Sequence, residues 1–374
     1  MLQKKYLKLG KFCAFLVAFF VSGQTVLFAK TITDPAGEQW AYRDTKVYEA
    51  WDVATGSRNV VVAVIDNGFD MYHPDLYGNV WKNDDEVPDN GVDDDKNGYT
   101  DDVWGWNFVP EDVNGDGSID IAEQMGNNDP RPSVFASTPE AIHHGTVVAG
   151  IIGGLGNNQQ DGAGINWRVR LMNLKVANNV GEGSMVGLDR AVRYAVDNGA
   201  HVINLSIVGD VQTALRDVFR YAHEKGVVVV AAAGNDSRFL NRSPQYPVCV
   251  DEGESEEWVL GVSAIDESHR ITHFSNVGSS CIDITAPGVN IASTLRYSPQ
   301  YGLQNTYGTG WNGTSFAAPF VTGAAALLKS MHPEWTAKEI STTLLTTVHK
   351  TPPLDEAEYA HLYGAGLLQI NKAV

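Results

Sequence analysis

Cysteine is scarce in this chain, three in 374 residues, and cations are outnumbered, 27 Lys plus Arg against 45 Asp plus Glu, for a formal charge of −18. So few thiols leave room for one disulfide at most. The cation deficit argues against nucleic acid as a partner, because binding by counter-ion release needs a positive surface. Past the N-terminal segment there is no second apolar run of membrane length, no Pro/Gly/Ser linker and no internal repeat. A string of domains and a repeat architecture are thereby excluded. With 43% hydrophobic and 19% charged residues, the chain is too apolar for disorder and long enough for a sizeable core. Glycine, by contrast, is plentiful: 37 residues, above the usual ~7%, which predicts many tight turns and close backbone approaches.

The first 29 residues read as a secretory signal. Lys4, Lys5, Lys8 and Lys11 precede an apolar run from Phe12 to Val21, and Leu27-Phe28-Ala29 supplies a small-residue cleavage site. The run is shorter than the ~20 residues that a membrane anchor needs, so no membrane association is expected after cleavage. Removal takes the charge from −18 to −22 and removes Cys13. Cys249 and Cys281 remain, and in a secreted chain they read most simply as one disulfide.

From about residue 40 onward, buried strands alternate with helices. The runs Val60 to Ile65, Arg170 to Val176, His201 to Ile207 and Val227 to Ala233 are apolar and mostly β-branched, as strands covered on both faces require. Helices are predicted over Val186 to Asn198, Thr213 to Lys225, Phe316 to Met331 and Ala337 to Val348, the first two closed by Gly199 and Gly226. This alternation predicts an α/β fold: a doubly wound, mostly parallel sheet with helices on both faces.

Three segments carry chemistry at the edges of these elements. Asp66, in Ile65-Asp66-Asn67-Gly68, ends the first buried strand, where ligand crevices of open α/β sheets lie. His144, in His143-His144-Gly145-Thr146, starts a small-residue helix. Ser315, in Gly313-Thr314-Ser315-Phe316-Ala317-Ala318-Pro319, enters an Ala-rich helix whose first turn is expected to hold the proline. Each alone fits a capping or core role. Together they supply a hydroxyl nucleophile, an imidazole to take its proton and a buried carboxylate to orient the imidazole. Asn235, after the strand ending at Ala233, adds an amide that can donate to an oxyanion.

On these residues the sequence resembles the subtilisin-like serine proteases, the subtilases. The order Asp, His, Ser is that of the family. Further matches are His73-Pro74-Asp75-Leu76, Leu174-Lys175-Val176 with Gly181 and Gly183, Val202 to Ser206, Thr285-Ala286-Pro287-Gly288 and Gly364 to Leu367. The resemblance spans about 40–374. It implies a triad of Asp66, His144 and Ser315, with Asn235 as oxyanion donor and His143 as an ordinary neighbour. It implies substrate-binding walls at Gly181, Glu182 and Gly183 and at Ser206, Ile207, Val208 and Gly209, with Asp236 on the rim.

Three departures qualify the likeness. Asn67 stands where Thr or Ser is commoner, and its amide is expected to make local hydrogen bonds. Val208 stands where the family usually has Gly and is expected to narrow the cleft. Only a short segment, 30–39, lies where the family carries a pro-region.

The stretch from Trp81 to Pro130 holds 15 acidic residues and two lysines, and reads as an insertion in the peptidase domain. Within it, Asp112, Asn114, Asp116, Ser118, Asp120 and Glu123 fill the oxygen-ligand places of a twelve-residue calcium loop, with Gly117 at the turn and Ile119 as apolar anchor. Asp93, Asp95, Asn97 and Asp101 repeat the opening of that spacing, but Trp104 stands where the final acid belongs. Asp75 resembles a calcium ligand found in many subtilases, and no loop that would complete that site is evident. Calcium is the expected cofactor.

The expectation is a secreted, extracellular or periplasmic, monomeric calcium-binding serine endopeptidase acting on peptide or protein substrates. A processing protease for one peptide partner is an alternative within that class. A calcium-dependent binding module on a degenerate protease fold is the alternative from another class.

Overall fold

The computed structural model describes residues 32–35, 38–110, 118–119, 123–135, 138–178, 180–210, 215–350 and 362–374. The expected signal peptide lies outside these residues. Among the described residues no helix is long and apolar enough to cross a membrane.

The β-branched runs form the strands expected of them. A seven-stranded parallel sheet is built from β1 (Gly56–Asp66), β2 (Gly105–Asn107), β3 (Arg168–Lys175), β4 (Val202–Leu205), β5 (Val228–Ala232), β6 (Val259–Ile265) and β7 (Ile284–Pro287), in the order β2-β3-β1-β4-β5-β6-β7. A separate antiparallel pair, β8 (Ile291–Thr294) and β9 (Tyr307–Trp311), lies beyond it. The helices are α1 (Trp40–Asp44), α2 (Val47–Trp51), α3 (Pro139–Gly153), α4 (Met185–Asp197), α5 (Arg216–Glu224), α6 (Thr314–Met331), α7 (Ala337–Thr346) and α8 (Ile370–Ala373).

Side chains of β1 alternate between two apolar layers, as the two-residue period of a strand requires. Val60, Val62 and Val64 pack with residues of α3 and α6, whereas Val61, Ala63 and Ile65 pack with residues of α4 and α5. Each such fully buried aliphatic side chain contributes ~1.5–3 kcal/mol. The sheet is doubly wound, as expected. Its order reverses at β1, which pairs with β3 on one side and β4 on the other, so the carboxyl end of β1 opens on the crevice at the switch point.

Several local expectations change. Helix α3 begins at Pro139, five residues before His144, with Thr138 as N-cap accepting from Ala141 N. Proline at N1 with a threonine cap is an ordinary helix start. The region 81–130 is more than an appended insertion: β2 lies inside it and pairs with β3, and Trp81, Trp106 and Phe108 are buried in the main core. Cys249 and Cys281 form a buried disulfide, with Cα atoms 4.9 Å apart.

Candidate active site

Asp66 is buried at the carboxyl end of β1. Its Oδ1 lies 2.7 Å from His144 Nδ1 and also accepts the Asn67 backbone N–H at 2.7 Å. Burial pushes the His144 imidazolium down, but the adjacent Asp66 carboxylate outweighs this and holds it above the usual imidazole range. With Nδ1–H on the carboxylate, Nε2 of the neutral ring is the proton acceptor. Phe316 lies against the His144 ring at 5.4 Å and also against Trp311 at 5.5 Å.

Asn67, expected to bond locally, reaches helix α3 instead. Its Nδ2 donates to Ala141 O at 2.6 Å and its Oδ1 accepts Gly145 N at 2.9 Å. The residue after the aspartate thus clamps the helix turn that carries His144. Gly145 makes the close approach possible, since a Cβ there would sit 2.3 Å from Gly68 O and 2.9 Å from Asn67 Oδ1, and on Gly68, at φ +85°, a Cβ would sit 1.9 Å from Pro130 O. His143 faces away from the aspartate. Its Nδ1 accepts Arg296 N at 3.0 Å and its ring packs edge-on to Trp311 at 6.0 Å.

Ser315 is the second residue of α6, and Pro319 falls in the second turn rather than the first. A proline there cannot donate to the carbonyl four residues back, which is that of Ser315. Ser206 Oγ fills the vacancy, donating to Ser315 O at 2.7 Å. Ser206 is held in turn by Asn204 Nδ2 at 3.0 Å, and Asn204 Oδ1 accepts Thr322 Oγ1 at 2.8 Å. This chain of bonds ties the turn of Ser315 to β4. Ser315 Oγ donates to Ser206 O at 3.2 Å.

Asn235 stands exposed after β5. Thr314 N at 2.9 Å and Thr314 Oγ1 at 3.1 Å both donate to its Oδ1. A backbone N–H can only donate, so the amide orientation is determined and Nδ2 is left for the cleft. Gly234, at φ +99°, turns the chain where any Cβ would lie 2.4 Å from Asn276 Nδ2.

The expected substrate walls meet in one cavity of about 300 Å³, lined by Gly181, Glu182 and Gly183 on one side and Ile207, Val208 and Gly209 on the other, with Tyr246 and Pro247 at its end. Val208 is 40% exposed and contributes to the wall. Glu182 hydrogen-bonds with Asn178. Asp236 is engaged by Gln245 Nε2 at 3.0 Å and Arg238 Nε at 3.5 Å, which reduces its free charge at the rim.

Of the first calcium loop, Asp112, Asn114, Asp116 and Asp120 lie outside the described residues. Ser118 and Ile119 are exposed, and Glu123 opens a short 3₁₀ turn, Glu123–Met125. The second acidic loop is described, and its membership differs from the expected one. Asp93 and Asp95 accept backbone N–H groups of Asn97 and Gly98, and Asn97 Nδ2 donates to Asp95 and Asp102. Asp101 turns away and accepts from Asn90 N and Gly91 N. Glu86, Asp95 and Asp102 instead bring carboxylate oxygens within 4.8 Å of one another. Burial pushes both Glu86 and Asp102 up. Such a donor set suits a hard cation.

The loop thought missing beside Asp75 is present at 155–162. Leu155 N donates to Asp75 O at 2.9 Å, Asn158 Nδ2 donates to Asp75 Oδ1 at 2.8 Å, and Asn157 N and Gln159 N donate to the Asp34 carboxylate. Asp75 Oδ2 is buried with no hydrogen-bond partner among the described residues. Burial, with Asp161 and Asp34 adding repulsion, pushes this carboxyl up to about 8. An orphaned buried oxygen among three acids fits a cation that would compensate it.

A parallel sheet with a hydrogen-bonded Asp and His, and a Ser and Asn at its crevice, defines a hydrolase-type site. The comparisons with known proteins agree. Residues 57–366 match the subtilase family. The chain is 32% identical to thermitase of Thermoactinomyces vulgaris over 80% of its own length and 86% of that protein. It is 35% identical to a thermophilic serine proteinase of Bacillus sp. (strain AK1) over 79% of its length, spanning 58% of that protein. It is 35% identical to subtilisin NAT of Bacillus subtilis subsp. natto over 85% of its length, spanning 66% of that one. A protease structure from Pseudoalteromonas arctica PAMC 21717 superposes with a TM-score of 0.70 at 27% identity, covering 92% of this chain and 99% of that one. The chain belongs to the subtilase family.

Proposed function

We propose that this chain is a secreted, calcium-binding serine endopeptidase, monomeric, with residues 40–374 as its peptidase domain. The observation that carries the reading is the Asp66–His144 pair, at 2.7 Å, with the His144 ring packed on Phe316, next to Ser315, and Asn235 anchored by Thr314 on the other side of Ser315. In this reading Ser315 Oγ attacks a peptide carbonyl while His144 Nε2 takes its proton and later returns it to the leaving amine. Asp66 holds the ring in the required tautomer and stabilises the imidazolium. Asn235 Nδ2 and the Ser315 backbone N–H donate to the oxyanion, an interaction already aimed before substrate arrives.

The substrate's acyl side runs along the cavity between 181–183 and 206–209. Its lining of Val176, Leu188, Ile207, Val208 and Tyr246 favours an apolar side chain there. Glu182 on the rim favours Lys or Arg nearby by no more than severalfold, about 0.2–1 kcal/mol. The wall made by Val208 favours the narrower reading of a processing protease with few substrates. Calcium, where bound, supplies charge compensation at Asp34 and Asp75 and at Glu86, Asp95 and Asp102, together with the 112–123 loop. No catalytic step passes through it.

A fluorophosphonate probe tests the reading. The protein is expected to take up one label on Ser315, with Ser315→Ala unlabelled and inactive but folded. An unlabelled wild-type protein that still binds peptides would leave the binding-module alternative standing.

A further inference from the structure

A second cavity, about 540 Å³, opens at the carboxyl ends of β6 and β7 and is lined by Asp266, Arg270, Thr272, His273, Phe274 and Asn312, among others. It is braced to the catalytic loops. Ser237, two residues past Asn235, donates through N to Phe274 O at 2.9 Å and through Oγ to His273 O at 2.6 Å. Asn312, three residues before Ser315, accepts Asn290 N at 2.9 Å, and Gly313 N donates to Gly288 O at 2.9 Å.

The sheet order tells which side of the scissile bond the cavity serves. The acyl-side groove lies beyond β3 and β4, Asn235 follows β5, and this cavity lies beyond β6 and β7. A peptide crossing Asn235 from the groove therefore leads its leaving-group side toward this cavity.

The lining carries an arginine and a histidine in a chain that is otherwise strongly acidic. Arg270 and His273 are both exposed, and Arg270 forms no ion pair among the described residues. The one acid in the lining, Asp266, is turned to its own loop: its Oδ1 accepts Ser268 N at 2.8 Å and Arg270 N at 3.1 Å. Phe274, half-buried beside His273 at 5.5 Å, gives an apolar floor for the methylenes of a side chain.

We propose that this cavity receives a substrate carboxylate on the leaving-group side of the scissile bond, with Arg270 as the principal recognition group and His273 and Asn312 as neighbours that can donate to it. The proposal rests on the endopeptidase reading above. A guanidinium with no competing partner offers a planar fork to a carboxylate. It also gives the cleft opposite charges on its two sides, with Glu182 on the acyl side and Arg270 on the other.

The test is a set of C-terminally amidated peptides, identical except for Glu, Gln or Lys at one of the first three positions after the bond, plus a Gln peptide ending there in a free carboxylate. The readout is the ratio of kcat/KM values within each enzyme form. Wild type is expected to prefer Glu over Lys by roughly fivefold at low salt, and the ratio should collapse at ~1 M salt, where screening reaches ~3 Å. Arg270→Glu should reverse the order, and Arg270→Lys should retain it. A preference for the free-carboxylate peptide with none among the amidated ones would support the pocket but assign it to a chain end. Equal Glu and Lys rates in wild type at all three positions, or an Arg270→Glu ratio like that of wild type, overturns the proposal. If wild type cuts not even the Gln peptides, the endopeptidase reading falls and takes this one with it.

Discussion

The crevice at the carboxyl end of β1 and the acidic turns of 83–102 are built in opposite ways. In the crevice, residues 66, 144, 235 and 315 are set in place by a parallel sheet and two helices: Asp66 pairs with His144, Thr314 donates to Asn235, and Ser315 Oγ donates to Ser206 O. In the turns, carboxylates within twenty residues curl onto one another and are held by their own backbone N–H groups and by Asn83 and Asn97. The crevice is therefore a property of the fold. The turns, which crowd like charges, depend on what the solution supplies.

The largest effect that would sharpen this contrast comes from a charge pair inside the crevice's own frame. Asp70 and Arg296 are buried and 2.8 Å apart, and Asp70 also accepts Tyr297 N and Tyr72 N. Asp70→Ala leaves the guanidinium buried and unpaired, which should cost about 3–5 kcal/mol. Thermal unfolding measures it, and a shift no larger than that of a surface substitution would show that fold and crevice are less tightly joined than argued.

Asn235→Ala comes next. Turnover should fall by roughly 10²–10³, the magnitude that subtilisin, a relative, sets for such a donor, with KM and melting temperature little changed. An equal loss in KM would mean that the amide binds substrate and transition state alike.

Chelation should act on the other member of the comparison. Removing calcium should lower the melting temperature, by the equivalent of about 2.7 kcal/mol if the ion had been a hundredfold over its dissociation constant. Asp102→Asn and Asp75→Asn should each reproduce part of the shift, and activity should fall only as the fold does. Identical melting curves in chelator and in calcium, with no metal by elemental analysis, would break the contrast.

The smallest effect is in pH. Because Asp66 holds the folded His144 above its unfolded value, the pair adds stability that is complete below ~6.5, the ordinary imidazole value. That contribution is lost as pH rises through the higher folded value. Activity needs the neutral ring and should rise over the same interval. Parallel pH profiles of melting temperature and kcat/KM check the opposite signs.

Much of this was legible locally. Val60 to Ile65 had to be a buried strand because only a two-faced core accepts six apolar residues in a row, and its end therefore put Asp66 in a crevice. Thr138-Pro139-Glu140 carried the signal for the true start of α3, but the small residues after His144 drew attention instead. Asp102 and Glu86 were missed because a loop template counts positions along one chain. Asp102 is held by Tyr194, 92 residues away, and by Asn83, whereas Glu86 accepts backbone N–H groups of Asp94, Asp95 and Asp101. The 155–162 loop beside Asp75 was missed for the same reason: Asn158 is 83 residues distant.

By itself, the sequence determined the period-two strands, the order of Asp, His and Ser, the glycines that tolerate positive φ most readily, and the excess of acid, because each is a property of neighbouring residues and their chemistry. Only the tertiary structure decided which polar atoms face one another. That Pro319 would leave a carbonyl for Ser206, that Asn67 would clamp α3, and that Arg270 would line one cavity with Asn312 all follow from packing distant segments together. A hydrogen bond needs its partners within about 3 Å, and sequence separation says nothing of such a contact.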